Sequence, residues 1–316
     1  MKTIRTLVIY SSKYGSTRDA AEIISLVTGP AKYCTVDEFK PEYKEFEFIV
    51  LGSPIYQEKV EQSLLEFVDK NRDWLKKKPL SIFCTCLDKN GGLDQVRSLE
   101  NFIDTKALSL KAIGGRLIIN KLDHEDLDLI KKFLKHVNLP FEDMDFYNLE
   151  EIINYSMKLK SLKDNLLVPL NEDKVKDFID EFLSSHNTCT LSTGYLNRVR
   201  STPIEYNYID GFLYLLSEGG EKFANLLLNE NVSIAVYEDY TRMNNIKGMQ
   251  ITGKASIVNR NNEKYNHVLN LKGLNVDVIK SLPVNMNLIK IVIENVEFLN
   301  SDFKLEGVDA KQIIKY

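Results

Sequence analysis

Phe48-Ile49-Val50-Leu51 is apolar at four consecutive positions. A strand with one wet face alternates apolar and polar residues, so an unbroken run marks a strand buried on both faces. Strands of that kind belong to parallel sheets covered by helices. The same reading predicts strands over 4–11, 46–52, 79–86 and 112–120, with a weaker one near 33–36. Between them, Val60, Leu64, Phe67 and Val68 recur at helical spacing, as do Leu127, Ile130, Leu134 and Val137. Strands alternating with helices predict an α/β doubly wound parallel sheet over residues 1–142.

The pattern changes after residue 142. Leu149, Ile152 and Ile153 suggest a helix that runs into the polar KLKSLKDN, and Pro169 ends the stretch. Residues 143–170 read as a linker helix region packed on one domain or the other. From 171 onward, one amphipathic helix (Val175, Phe178, Ile179, Phe182) precedes mostly alternating segments. NTCTLST is a strand, and IEYNYIDGFLYLLS (204–217) is a hairpin turning at Asp210-Gly211, residues that tolerate positive φ. Short helices are predicted at 221–228 and 262–271, and a late strand at 288–300. This second region, 171–316, is expected to be a mostly antiparallel split β-barrel.

Bulk properties exclude several classes. The chain has 316 residues and a net charge of −4, with no clustered basic face of the sort nucleic-acid proteins carry. No stretch reaches the ~18 apolar residues of a membrane helix, and the N-terminal apolar run is too short for a signal peptide. No nucleic-acid or membrane partner is expected, and the predicted location is cytoplasmic. Cys34, Cys84, Cys86 and Cys189 are then reduced thiols. The Cys84-Thr85-Cys86 stretch reads as buried strand rather than a zinc site, which would need more Cys or His nearby. No metal is expected.

The corner between the first strand and its helix, YSSKYGST, is rich in hydroxyls and holds one glycine. A helix N-terminus presents unpaired N–H groups and partial positive charge. Ser12, Tyr14, Gly15, Ser16 and Thr17 are therefore placed to wrap a phosphate. G-x-x-x-x-G-K-[ST] and G-x-G-x-x-G are both missing, which argues against a nucleoside triphosphate and a dinucleotide. Two more loops, GSPIYQEKV (52–60) and LDKNGGLD (87–94), follow later strands and meet the first at the sheet's carboxyl edge.

YSSKYGST, IVLGSPIY and AIGGRLIINKLDHEDLDLIKKFLK together resemble the flavodoxin family, in its branch near the flavodoxin-type protoporphyrinogen oxidase. The resemblance covers about residues 1–140. It implies non-covalent FMN, with phosphate in the loop Ser12, Lys13, Tyr14, Gly15, Ser16, Thr17. The isoalloxazine would lie between loop 53–57 (Ser53, Pro54, Ile55, Tyr56) and loop 86–92, with Tyr56 as the stacking aromatic. The third loop departs from the family in having no aromatic residue.

In the second region, RVRSTPIEYNYIDGFLYLLSEGGEK brings a basic strand residue and a lysine after a Gly-Gly pair towards one anion. Arginine grips phosphate oxygens bidentately, and lysine acts as a mobile point charge. The pattern resembles the pyridoxamine 5′-phosphate oxidase-like FMN-binding split barrels over about 172–316. It implies a six-stranded barrel that dimerises with flavin at the interface. By position in the motif, Arg200, Ser201, Thr202 and Pro203 lie beside the flavin, Ser217 and Lys222 face its phosphate, and Gln250 adds a contact from a later strand. Glu221 stands where the oxidases carry a second basic residue, and the C-terminal EGVDAKQIIKY lacks their substrate-binding arginine and histidine. Both departures point away from oxidation of pyridoxamine phosphate.

The resemblances together imply an FMN-dependent oxidoreductase, with two FMN per chain. A flavodoxin-like carrier would pass electrons to a barrel that reduces a small-molecule acceptor. The donor would be NAD(P)H or a redox protein, and the assembly a homodimer through the barrel. No catalytic acid or base is nominated. The alternative is a flavin or tetrapyrrole binding protein without turnover, with one or both sites vestigial, in which a deazaflavin or haem could replace FMN in the barrel.

Overall fold

The computed structural model describes residues 4–136, 140–242 and 244–316, the side chain of His136 excepted. The chain forms two compact units, Met1–Leu167 and Val168–Tyr316.

In the first unit, β1 (Thr6–Tyr10), β2 (Ala31–Thr35), β3 (Phe48–Tyr56), β5 (Leu80–Cys86) and β6 (Ser109–Gly114) form a parallel sheet in the order β2-β1-β3-β5-β6. The short β4 (Lys59–Val60) folds back antiparallel on β3. All five residues of β1 and all seven of β5 are buried, as strands covered on both faces are. Helices α1 (Ser16–Val27), α2 (Gln62–Leu75), α3 (Lys89–Ile103), α4 (His124–His136) and α5 (Leu149–Asp164) follow in chain order. The expected apolar stripe holds for α2, where Leu64, Phe67 and Val68 are buried. On α4, Leu134 is buried, while Val137 lies outside the described residues.

Two sequence expectations change, and one that was left open is decided. Residues 87–94 are not a loop: α3 begins inside them. Asp88 caps the helix by accepting from the amides of Asn90 (3.0 Å) and Gly91 (3.1 Å). Gly92 is needed for packing rather than turning, because a Cβ there would meet the Cys86 sulfur at 2.5 Å. The strand expected at 112–120 stops at Gly114, and β7 (Arg116–Leu117) pairs instead with β8 (Met144–Asp145). Finally, α5 packs on the first unit: Ile152, Tyr155 and Leu159 join Val8, Ala20 and Ile24 in one cluster. Its Lys163 amine is buried and donates to the carbonyls of Thr28 and Gly29 at the end of α1, where a helix favours a cation.

In the second unit, α6 (Glu172–Ser185) precedes β9 (Thr188–Tyr195), β10 (Arg198–Glu205), β11 (Asn207–Ile209), β12 (Phe212–Ser217), α7 (Glu221–Leu226), β13 (Asn231–Tyr237) and β14 (Lys247–Val258). Then come α8 (Glu263–Leu271), α9 (Val276–Ser281), β15 (Asn287–Asn300) and β16 (Lys311–Lys315). The strands pair antiparallel in the order β10-β9-β13-β14-β15-β12-β11, with β16 on β15. The sheet curls so that β10 comes near β12, as a split barrel does. Val175, Ile179, Phe182 and Leu183 of α6 pack into its core. The 204–217 hairpin is shorter than expected: Ile204 and Glu205 pair with β9, and only β11 and β12 flank Asp210-Gly211. Both turn residues have positive φ (50° and 80°), matching a hairpin turn.

Candidate functional site

In the first unit the sheet order reverses between β1 and β3, and the carboxyl ends of β1, β3, β5 and β6 border a cavity of about 460 Å³. A doubly wound sheet opens its ligand crevice at that switch point. Tyr14, Ser16, Thr17, Pro54, Ile55 and Tyr56 line it. The helix start is shaped by Gly15, whose φ of 99° is left-handed and suits glycine. Ser12 braces the turn, its Oγ accepting from the amides of Gly15 (3.2 Å) and Arg18 (3.4 Å). Thr17 and Thr85 share a buried hydroxyl–hydroxyl bond of 2.7 Å that ties α1 to β5. The Ser11 hydroxyl, just after β1, is buried and has no hydrogen-bond partner, but it does not line the cavity.

Tyr56 packs edge-on against Tyr14, with ring centroids 5.9 Å apart. Burial pushes its phenol up to about 12, offset in part by the amides of Lys13 and Tyr14 that face its hydroxyl. The ring is presented by a tight hairpin in which Gln57 and Glu58 both take positive φ, 50° and 59°. Non-glycine residues held there carry strain of the sort that collects at binding sites.

Lys13 is committed elsewhere. Its ammonium meets Asp123 at 2.6 Å and Asp126 at 2.7 Å, and those carboxylates raise its pKa. Tyr14 donates to the same Asp126 oxygen at 2.5 Å. Ser53 also stands apart from the cavity: its hydroxyl donates to the Pro54 carbonyl and accepts from the Glu61 amide.

In the second unit, Arg200 and Lys222 come together where α7 packs against β10. Lys222, 7% exposed, follows Gly219-Gly220 in the first turn of α7 and donates to the Gly219 carbonyl. Its pKa is lowered, first by burial and then by Arg200. Among the described residues Lys222 forms no ion pair, whereas Arg200 reaches Glu221 at 3.4 Å. Ser217 Oγ accepts from the Gly219 amide at 3.3 Å and holds the turn. Behind them the buried Asn225 carbonyl oxygen has no partner. Two cations with one carboxylate between them leave positive charge for an anion.

The remaining residues of this set divide by strand parity. Arg200 and Thr202 share the parity of the buried Thr193 and Leu191, whereas Ser201 and Pro203 share that of Ser192 and Thr190. Gln250 is exposed and lies in register with Ala235, Thr190 and Pro203 across four strands. Three interstrand spacings put it roughly 14 Å from Pro203, so one chain does not bring Gln250 to the Arg200–Lys222 pair.

Residues 7–138 match the family described as Flavodoxin domain, and residues 175–300 the family described as Pyridoxamine 5′-phosphate oxidase. The chain joins a flavodoxin domain to a pyridoxamine 5′-phosphate oxidase-like domain. No curated protein matches it. Among solved structures it is similar to HutZ, the haem storage protein of Vibrio cholerae, at 23% identity over 38% of this chain and 89% of that one, with a TM-score of 0.33. An FAD-binding protein of Mesorhizobium loti is 20% identical over 42% of this chain and 93% of its own, with a TM-score of 0.31. A flavodoxin from the domain Archaea is 16% identical over 49% and 99%, with a TM-score of 0.33.

The flavodoxin domain holds site residues that its sequence alone does not single out. Thr85, Gly115, Arg116 and Asp126 line the cavity, with Leu129, Ile130 and Phe133 of α4. The Arg116 amide donates to Ser16 Oγ at 3.1 Å, and its guanidinium pairs with Asp19 at 2.9 Å and sits over the Tyr147 ring at 3.7 Å. The Gly114-Gly115 pair was the available signal. In the oxidase-like domain, Asn225 is the residue overlooked.

Proposed function

We propose that this chain is an FMN-dependent oxidoreductase with one FMN per domain. The flavodoxin domain acts as electron carrier, and the oxidase-like domain reduces a small-molecule acceptor. The carrying observation is the cavity at the β1/β3 switch point, lined at the start of α1 by Tyr14, Ser16 and Thr17. FMN, when bound, supplies two-electron acceptance and one-electron release. The chain supplies the rest. The amides of loop 12–17 and the Ser16 and Thr17 hydroxyls hold phosphate. Pro54, Ile55 and Tyr56 wall off water on one side, and Leu129, Ile130 and Phe133 do so on another.

In the second domain, Lys222 and Arg200 hold the phosphate, and Ser217 keeps the Gly219 turn in shape for it. Glu221 offsets part of the Arg200 charge, which supports an acceptor other than pyridoxamine phosphate. We assign dimerisation to the oxidase-like domain. Leu196 and Val199, 85% and 80% exposed at the β9–β10 hairpin, stand with Leu227 and Leu228, whose segment is tied to the hairpin by the Asn229–Gly194 bond. A second copy would cover this apolar patch. NAD(P)H or a redox protein is the proposed electron donor, and the cytoplasm the proposed location; among the described residues no helix is long and apolar enough to cross a membrane.

Cofactor extraction with mass identification tests the reading. Two FMN per chain, bleached by NAD(P)H or a reduced redox protein, are expected. A colourless protein that stays colourless with excess FMN overturns it.

A further inference from the structure

Cys84 and Cys86 occupy successive inward positions of β5, and both sulfurs converge on one point of α3. A Cβ on Gly92 would stand 2.5 Å from the Cys86 sulfur and 3.1 Å from that of Cys84. Cys84 Sγ donates to the Gly92 carbonyl at 3.4 Å, and Cys86 Sγ to that of Ile113 at 3.7 Å. Both thiols are buried and free, and Cys86 borders the cavity of the flavodoxin domain whereas Cys34 and Cys189 do not.

Three things could use such a pair. A disulfide is poorly served. Residues two apart on a strand have Cα atoms roughly 6.6 Å apart with parallel Cβ vectors, the outer limit of disulfide geometry, which wants Cβ atoms about 3.8 Å apart. A zinc site wants four ligands, and among the described residues no group of three or more His, Cys, Asp or Glu side chains is placed to hold a metal. A soft ion that accepts two thiolates remains. Two bonds near the ~2.3 Å of zinc–thiolate span the gap a disulfide cannot, and soft thiolates select copper(I) over harder ions.

We propose that Cys84 and Cys86 form a two-coordinate dithiolate site for copper(I), entered from the cavity of the flavodoxin domain. Binding exchanges the two S–H protons for one metal–sulfur bond each, releasing two protons and leaving a complex of charge −1. Gly92 is the residue that lets both sulfurs lie together, and this gives a glycine inside a helix a purpose beyond packing. The site does not depend on FMN being the cavity's occupant.

The test is anaerobic titration of the full chain with copper(I) against a chromophoric chelator. One copper(I) per chain is expected, with ultraviolet thiolate-to-copper absorbance. Cys84→Ser and Cys86→Ser should each weaken binding by more than the roughly 100-fold that loss of a merely supporting contact costs. Cys34→Ser and Cys189→Ser should leave it unchanged. In the unaltered chain, copper(I) should shield Cys84 and Cys86 together from alkylation, read by mass spectrometry, so the proposal stays testable if a serine variant does not fold. The inference is overturned by a chain that takes no copper from the chelator, by binding that survives either serine variant, or by shielding of Cys34 or Cys189 instead. FMN content, measured on the same samples, reports separately on the flavin reading.

Discussion

The two proposed cradles would hold the same kind of anion by opposite means. In the flavodoxin domain the proposed phosphate donors are neutral: backbone amides at a helix start and hydroxyls of Ser16 and Thr17, while the ammonium of the same loop, Lys13, is occupied by Asp123 and Asp126. In the oxidase-like domain, side-chain cations do the holding, and one of them, Lys222, is buried without an ion pair among the described residues. Amides fixed by the fold keep their geometry and charge at any pH. Ammonium and guanidinium groups reach further but answer to salt and to protons. One phosphate can thus be recognised by shape in one place and by charge in another, and the two sites should part company under perturbation.

Substitution of the cations should separate them most. Hydrogen bonds to charged groups are worth about 1.5–3 kcal/mol each, so Arg200→Ala with Lys222→Ala should weaken FMN in the second domain by at least ~100-fold and leave the first untouched. Flavin titration followed by fluorescence quenching reads both sites, and loss at both would mean the cradles are wrongly assigned. The mirror experiment is milder. Ser12→Ala with Thr17→Ala removes neutral contacts of about 0.5–1.5 kcal/mol each, for a loss near tenfold in the flavodoxin domain only. Salt should widen the gap further, because a Debye length of ~3 Å at 1 M screens exposed charge. Arg200 is exposed, so affinity in the second domain should drop several-fold between low and high salt while the first holds steady; equal salt slopes would erase the distinction.

Protons give a subtler signature. Folding lowers the Lys222 pKa from 10.5, so below 10.5 the unfolded chain holds more protons at this amine than the folded one. Its contribution to stability therefore rises with pH up to 10.5, while affinity for phosphate falls over the same range. Urea unfolding of Lys222→Met across alkaline pH should remove that rise. For Tyr56 the sign reverses. Its raised pKa means stability fully present below 10 and lost as pH climbs towards about 12, and Tyr56→Phe should flatten that loss. The smallest effect belongs to the strained hairpin: Gln57→Gly should stabilise the flavodoxin domain by up to ~1 kcal/mol, since glycine adopts positive φ without penalty. A destabilised variant would show that the turn is not strained.

What the sequence disclosed follows from which forces act locally. The apolar stretches of β1, β3 and β5 reflect burial on both faces and need no knowledge of partners. Asp210-Gly211 announces its turn for the same reason. The start of α3 was hidden because Gly91-Gly92 carries the signature of a loop, and the reason for glycine at 92, contact with Cys84 and Cys86, becomes visible only once strand and helix are packed. The tight turn at Gln57-Glu58 has no local signal, since neither residue favours positive φ. The commitment of Lys13 to carboxylates more than a hundred positions away lay beyond any local reading. In the second domain, the motif brought Arg200 and Lys222 to one place, but strand parity separates Gln250 from them.

The Lys163 amine, closed over the last carbonyls of α1, matters to anyone wishing to study the halves separately. A truncation at 142 would strip α1 of that lid and open Ile24 and Val8 to water, so a sticky, short-lived fragment is to be expected. Scissors belong after Leu167, where the polypeptide passes from one compact body to the next.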